Sequence, residues 1–154
     1  MFRRIWTTLT VKKVQVLTCL NEFELPVRVY YEDTDAGGVV YHANYLRFME
    51  RARTEWLRHL GFEQDALAAQ GIVFVVGSLD IAYRKPARFN EQLFVKTAIN
   101  SMGKASMVFG QTIWRQDNGG SRELLTSSEV KVVCVDNRAW RPVPIPTEIR
   151  ELMK

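Results

Sequence analysis

The residues able to do chemistry are concentrated in one stretch, Val27 to Arg53, VRVYYEDTDAGGVVYHANYLRFMERAR. It holds Asp33 and Asp35, the pair Gly37-Gly38, and His42 at the threshold of an amphipathic segment. An ionised carboxylate can attack an electrophilic carbonyl or activate a water that does so. The first N–H groups of a helix offer the positive end of a dipole to the oxygen that gains charge. Asp35 is therefore the candidate base or nucleophile, whereas Asp33 reads as a turn or strand-end residue. His42, just before the helix, is placed to bond the carbonyl, hold a water or orient Asp35. Gly37 and Gly38 suit a turn with positive φ, and they also let a substrate approach the backbone. Gly38, Val39, Val40 and Tyr41 are accordingly candidates for substrate binding.

The elements that must position these groups follow from periodicity. Val27, Val29 and Tyr31 alternate with Arg28, Tyr30 and Glu32, which predicts a strand, and Asp33 to Gly38 is turn chemistry. From Asn44 the spacing becomes helical: Tyr45, Phe48, Met49, Ala52, Trp56 and Leu60 share a face, and Arg47, Arg51, Glu55 and Arg58 fall away from it. Glu50 and Arg53 share a flank off the apolar stripe and read as an exposed pair, with a place at a subunit interface as the alternative. Gly61 is a plausible stop, with resumption through Asp65–Ala69 to Gly71, so one helix of about 25 residues and about 38 Å is expected.

Ile72–Arg84, Leu93–Ile99, Ala105–Arg115 and Leu124–Val135 read as strands joined by short turns, hence antiparallel. Pro142, Pro144 and Pro146 predict an extended tail, and Thr147 a cap for a last short helix. The expected class is α+β, a curved antiparallel sheet wrapped around one long helix. Its open edges and outer face predict a homo-oligomer.

Residues 1–24 show no clean period and are treated as an N-terminal extension, either an appendage or a frayed extra strand, leaving 25–154 as one domain. The net charge of +4 divides evenly: Arg3, Arg4, Lys12 and Lys13 outnumber Glu22 and Glu24 by two, and the remaining chain is basic by two. Without a basic stripe, a nucleic-acid partner is not expected. Cys19 and Cys134 lack CxxC or His partners at ligand spacing, which argues against a disulfide scaffold or a metal site and fits a reducing, cytoplasmic setting. Ile5 to Val11 is too short and polar for a signal-peptide core, and no apolar run approaches the ~20 residues of a membrane span.

With strand, acidic turn and helix in place, the chain resembles the hotdog-fold acyl-CoA thioesterases of the 4-hydroxybenzoyl-CoA thioesterase group. Within that group it is similar to the YbgC-like branch associated with the Tol-Pal system. The residues that carry the likeness are Arg28-Val29, Thr34-Asp35, Gly38-Val39-Val40, Tyr41-His42-Ala43-Asn44, Tyr45 and Glu50-Arg51-Ala52-Arg53. It continues collinearly through Val130–Asp136 to about Pro144 and leaves out residues 1–24.

The resemblance implies a hotdog fold, a homodimer or homotetramer, and metal-free, cofactor-free hydrolysis of an acyl thioester carried by coenzyme A or acyl carrier protein. It assigns catalysis to Asp35, with Tyr31 and His42 beside it. Arg84, Lys85 and Arg88, otherwise a solvated charged edge, become contacts to the phosphates of coenzyme A. Phe89-Asn90-Glu91 stands where relatives often carry Tyr-Asp-Asp, so carrier contacts in that loop are less well defined. The alternative reading is a non-catalytic acyl-carrier or Tol-Pal-associated binding protein on the same fold. A His-centred dehydratase fits the Thr34-Asp35 turn less well.

Overall fold

The computed structural model describes residues 21–153. Five strands form one antiparallel sheet in the order β1-β3-β4-β5-β2: β1 (Glu22–Arg28), β2 (Ile72–Tyr83), β3 (Gln92–Met102), β4 (Ser106–Gln116) and β5 (Arg122–Asp136). A two-residue strand, β6 (Arg141–Pro142), adds to β5. The central hairpins are tight because their turns suit them. Asp117 Oδ1 accepts the N–H groups of Gly119 and Ser121, and Gly120 lies at φ +83°.

The helix α1 (His42–His59) lies across one face of this sheet. It buries the predicted stripe of Tyr45, Phe48, Met49, Ala52 and Trp56, together with Leu57. Each large apolar side chain fully buried in this way stabilises the fold by about 1.5–3 kcal/mol. Beneath it, alternate residues of the long strands face inward: Leu93, Val95 and Thr97 on β3, then Met107, Phe109, Gln111 and Ile113 on β4.

The apolar interior falls into two clusters, one around Tyr45, Phe48 and Ile113, the other around Trp56, Phe109 and Met153. Between them runs a polar row in cross-strand register, Thr97–Gln111–Ser128. The Gln111 amide donates to Thr97 Oγ1 (2.8 Å) and to the Met49 carbonyl (2.9 Å) and accepts from Arg53 Nη1 (2.7 Å). Ser128 Oγ donates to the Asp80 carbonyl.

Four expectations need correction. The strand predicted through Glu32 ends at Arg28, and Tyr31–Asp33 is a 3-10 turn, because the Asp33 carboxylate draws the Tyr30 N–H back onto itself. β1 also begins at Glu22, inside the segment set apart as an extension; Cys19 and residues 1–20 lie outside the described residues. The single long helix is two, α1 of 18 residues, about 27 Å, and α2 (Gln64–Ala69), broken where Gly61 turns to φ +94°. Finally, the last helix α3 (Thr147–Leu152) has Pro146 at its cap, with Thr147 its first residue. Its Ile149, with Ile145 and Met153, closes the cluster around Trp56.

Candidate active site

The loop between the 3-10 turn and α1 is built by Asp33. Its Oδ2 accepts the Tyr30 N–H (2.8 Å), its Oδ1 the Asn44 side-chain amide (2.8 Å), and its carbonyl the Tyr41 N–H (2.8 Å). Buried and fully engaged, Asp33 is the turn residue its position suggested, and it pins the first turn of α1.

Asp35 differs in every respect. It is exposed at the mouth of a small loop closed by its own N–H to the Val39 carbonyl (2.9 Å), by the Gly38 N–H to its carbonyl (3.0 Å), and by the Thr34–Val40 bridge. Its Oδ1 accepts the Gly37 N–H at 2.8 Å. A Cβ at Gly37 would lie 3.1 Å from that oxygen, and Gly38 stands at φ +76°. Gly38 is thus favoured by the turn, and a side chain at Gly37 would crowd the Asp35 carboxylate. The Val40 N–H donates to the Ala87 carbonyl and Ala87 donates to Tyr45 Oη, which ties the loop to the β2–β3 connection.

A recess opens between this loop, the start of α1 and the end of β2. Asp35, Val39, Val40 and His42 line it on one side, Tyr45, Tyr83, Arg84, Lys85 and Pro86 on the other. His42 opens α1, and its exposed ring lies 4.5 Å from that of Tyr41. The cap position, Tyr41, makes no side-chain cap bond. The first N–H groups of a helix have no acceptor within its regular ladder; here the Tyr41 N–H goes to the Asp33 carbonyl and the Asn44 N–H to the Tyr41 carbonyl, which leaves those of His42 and Ala43 without an acceptor among the described residues. Tyr83 Oη donates to the His42 carbonyl (2.9 Å) and holds that turn from the strand side. Burial raises the Tyr45 and Tyr83 phenols above their ordinary value.

Of the residues chosen from the sequence, Asp35, Val39, Val40, His42, Arg84 and Lys85 meet in this recess. Tyr41 sits at its rim on the His42 ring, and Gly38 shapes the loop behind it. Tyr31 and Arg88 are not among the residues lining it. The Tyr31 ring stacks on Phe89 at 3.9 Å, which gives the departure at Phe89 a physical partner. Arg88 is exposed in a turn that Glu91 holds through the Arg88 N–H and Asn90 at φ 66°.

Lys85 pairs with Glu123, which also pairs with Arg115, itself bound to Glu91, so its charge is already compensated. Tyr45, Tyr83 and Pro86 were missed as site residues. The alternation that puts Tyr83 on the same face of β2 as Ile81, just before Arg84-Lys85, was the available signal. Among the described residues, no three of His, Cys, Asp and Glu are grouped to hold a metal ion, and no helix is long and apolar enough to cross a membrane.

A curved sheet around one helix, with a carboxylate beside the helix start, is the hotdog arrangement. The model of the thioesterase-like superfamily matches residues 29–153, and the chain belongs to that family. The acyl-CoA thioester hydrolase YbgC of Escherichia coli O6:H1 is 51% identical over 127 residues, 82% of this chain and 92% of that one. The acyl-CoA thioesterase YbgC of Haemophilus influenzae is 47% identical over 131 residues, 84% and 93% of the two chains. The structure of 4-hydroxybenzoyl CoA thioesterase from Pseudomonas sp. strain CBS-3 shares the fold, with a TM-score of 0.78 over 86% of this chain and 99% of that one at 22% identity.

Proposed function

We propose that this chain, an acyl-CoA thioester hydrolase, breaks its substrate with Asp35 at the mouth of the recess. The observation that carries this is the contrast within one turn. Asp33 is buried and engaged, whereas Asp35 is exposed, with one oxygen steadied by the Gly37 N–H and the carboxylate beside the uncapped start of α1. The thioester oxygen faces the first amides of α1, which stabilise the charge it gains. Asp35 either takes the proton of a water that adds to the carbonyl carbon or adds itself and is freed by water. In both routes the carbon–sulfur bond breaks, the thiolate leaves and is protonated, and the acyl group departs as a carboxylate. His42 holds the water or the carbonyl from the helix side.

Arg84 and Arg88 supply positive charge for the phosphates of coenzyme A, and Lys85 supports this side through Glu123. Tyr31, stacked on Phe89, borders the approach rather than the reacting carbon. No metal or cofactor takes part in this scheme. The setting is cytoplasmic, in keeping with the buried thiol of Cys134, which has no disulfide partner among the described residues.

The working unit is a homodimer or a pair of dimers formed along β2. Among the described residues this strand pairs only with β5, and it exposes Val76, Leu79 and Tyr83. A long apolar edge of this kind is an invitation to pairing.

Thiol release from short, long and aromatic acyl-CoA thioesters, with Asp35→Asn beside wild type, tests the site. Hydrolysis that vanishes with Asp35 supports it, and near-normal turnover in the variant sinks it. No release from any thioester would favour the binding-protein alternative.

A further inference from the structure

The connection from β2 to β3, residues 84–91, supports the reactive loop as well as walling the recess. It leaves β2 with the Arg84 and Lys85 N–H groups both on the Leu125 carbonyl (2.8 and 3.2 Å). At its middle Ala87 is fully buried. The Ala87 carbonyl accepts the Val40 N–H (2.8 Å), and the Ala87 N–H donates to Tyr45 Oη (2.9 Å). One residue therefore touches both the loop that carries Asp35 and the first turn of α1. Further on, the Asn90 N–H donates to the Val29 carbonyl (2.9 Å) and the Val29 N–H to the Glu91 carbonyl (3.1 Å), just before the turn that Asp33 builds. The Asp35 loop moves if this connection moves.

Arg115 holds the connection from below. It stands near the end of β4, opposite Leu93 of β3 and Glu123 of β5. Its Nη2 pairs with Glu123, while its Nη1 donates to both carboxylate oxygens of Glu91 (3.0 and 3.1 Å) and to the Pro86 carbonyl (3.3 Å). Glu91 Oε2 also accepts the Arg88 N–H (3.0 Å), and Glu123 holds Lys85. The guanidinium thus grips the connection on both sides of Ala87 and fastens it to the sheet. A planar fork of N–H donors can span these partners, whereas an ammonium offers a single point of charge. Lys85 and Arg115 balance Glu91 and Glu123, so the cluster has no surplus charge with which to bind an anion of its own. Arg115 is not among the residues lining the recess, and any effect it has on the reaction passes through others.

We infer that Arg115 is a positioning residue for hydrolysis: by clamping Pro86 and Glu91 about Ala87, it fixes the Val40 and Tyr45 contacts that aim Asp35 and the start of α1 at the thioester. This rests on the assignment of Asp35 made above and adds what holds that carboxylate in place. A second ion pair on the sheet supplies the contrast. Arg122 bonds both oxygens of Glu24 (2.7 and 2.9 Å) and lies over the Phe94 ring, about as exposed as the Arg115–Glu91 pair. None of its partners among the described residues belongs to the connection.

Hydrolysis of butanoyl-, decanoyl- and benzoyl-CoA by wild type, Arg115→Met, Arg115→Lys, Arg122→Met, Asp35→Asn and the double variant of Asp35→Asn with Arg115→Met tests the clamp, with amide exchange on the same samples. Arg115→Met should lower kcat by about tenfold to a hundredfold, the cost of misplacing a reacting group, and leave KM within about twofold. Arg115→Lys, which keeps the charge and loses the fork, should recover only part of the loss. Arg122→Met should keep wild-type kcat. The Val40 amide should exchange faster in Arg115→Met and not in Arg122→Met. On top of Asp35→Asn, Arg115→Met should cost no more than about twofold, because both act through one group. Wild-type kcat in Arg115→Met, its full loss repeated on top of Asp35→Asn, or an equal loss in Arg122→Met overturns the clamp. Should Arg115→Met fail to fold, Arg115→Lys and Glu91→Gln carry the same comparisons. Near-normal turnover in Asp35→Asn, or none by wild type on any thioester, overturns the assignment of Asp35 and the clamp with it. Unaffected Arg115 variants beside an inactive Asp35→Asn overturn the clamp alone.

Discussion

The two ends of α1 are finished in opposite ways. At its start no side chain caps the helix, and the first turn is held from outside by Asp33, through Asn44 and the Tyr41 amide, and by Tyr83 through the His42 carbonyl. At its end the chain closes on itself. The Gly61 N–H returns to the Arg58 carbonyl, Arg58 pairs with Glu55 and Glu63, and Trp56 and Leu57 sink into the core against Phe23 and Phe109. A conventional N-cap would consume donors that a substrate oxygen needs, so the reactive end is tethered by its neighbours, and among the described residues the His42 and Ala43 amides are left unspent. The other end has no such obligation and is packed for stability.

Substitutions should separate along this line. Asp35→Asn should lower kcat about a thousandfold while its melting curve overlays that of wild type; a matching loss of stability would erase the distinction. Trp56→Ala should do the reverse, costing about 3–5 kcal/mol in a denaturant titration with kcat of the folded fraction retained. Asp33→Ala lies between the two. It strands the buried Asn44 amide, so about 1–3 kcal/mol should be lost, and turnover should fall with it because the helix start loosens. His42→Ala should reduce kcat about tenfold, less than Asp35→Asn, and unchanged hydrolysis would return His42 to a structural role. The smallest effect belongs to Tyr83→Phe, where one hydrogen bond of about 1 kcal/mol is removed. A few-fold fall in kcat is expected, with faster amide exchange confined to the start of α1.

These two ends were not equally legible in the sequence. The buried face of α1 followed from spacing alone, since Tyr45, Phe48, Met49, Ala52 and Trp56 recur at helical intervals and burial obeys that period. The acidic turn was recognisable from Asp35, Gly37, Gly38 and His42, all near one another in the chain. Tyr83 was not, because it reaches the His42 carbonyl across 41 residues, and a strand tyrosine carries no mark of the hydroxyl's destination.

Tyr30 and Tyr31 misled for a related reason. Their β propensity is real, but the buried Asp33 carboxylate outweighs it by bending the chain. Arg53 was read as exposed because charge predicts a solvent face, whereas its true partner, Gln111, lies 58 residues away on a central strand.

The polar row Thr97–Gln111–Ser128 acts as a bulkhead through the interior. Leu25, however, packs against both the Tyr45 and the Trp56 compartments, so a change of volume in one reaches the other through that side chain. The half that borders the reactive recess supplies Val40 and Tyr45 to its lining, so a substitution that reshapes that half is felt at the recess before it reaches the Trp56 side.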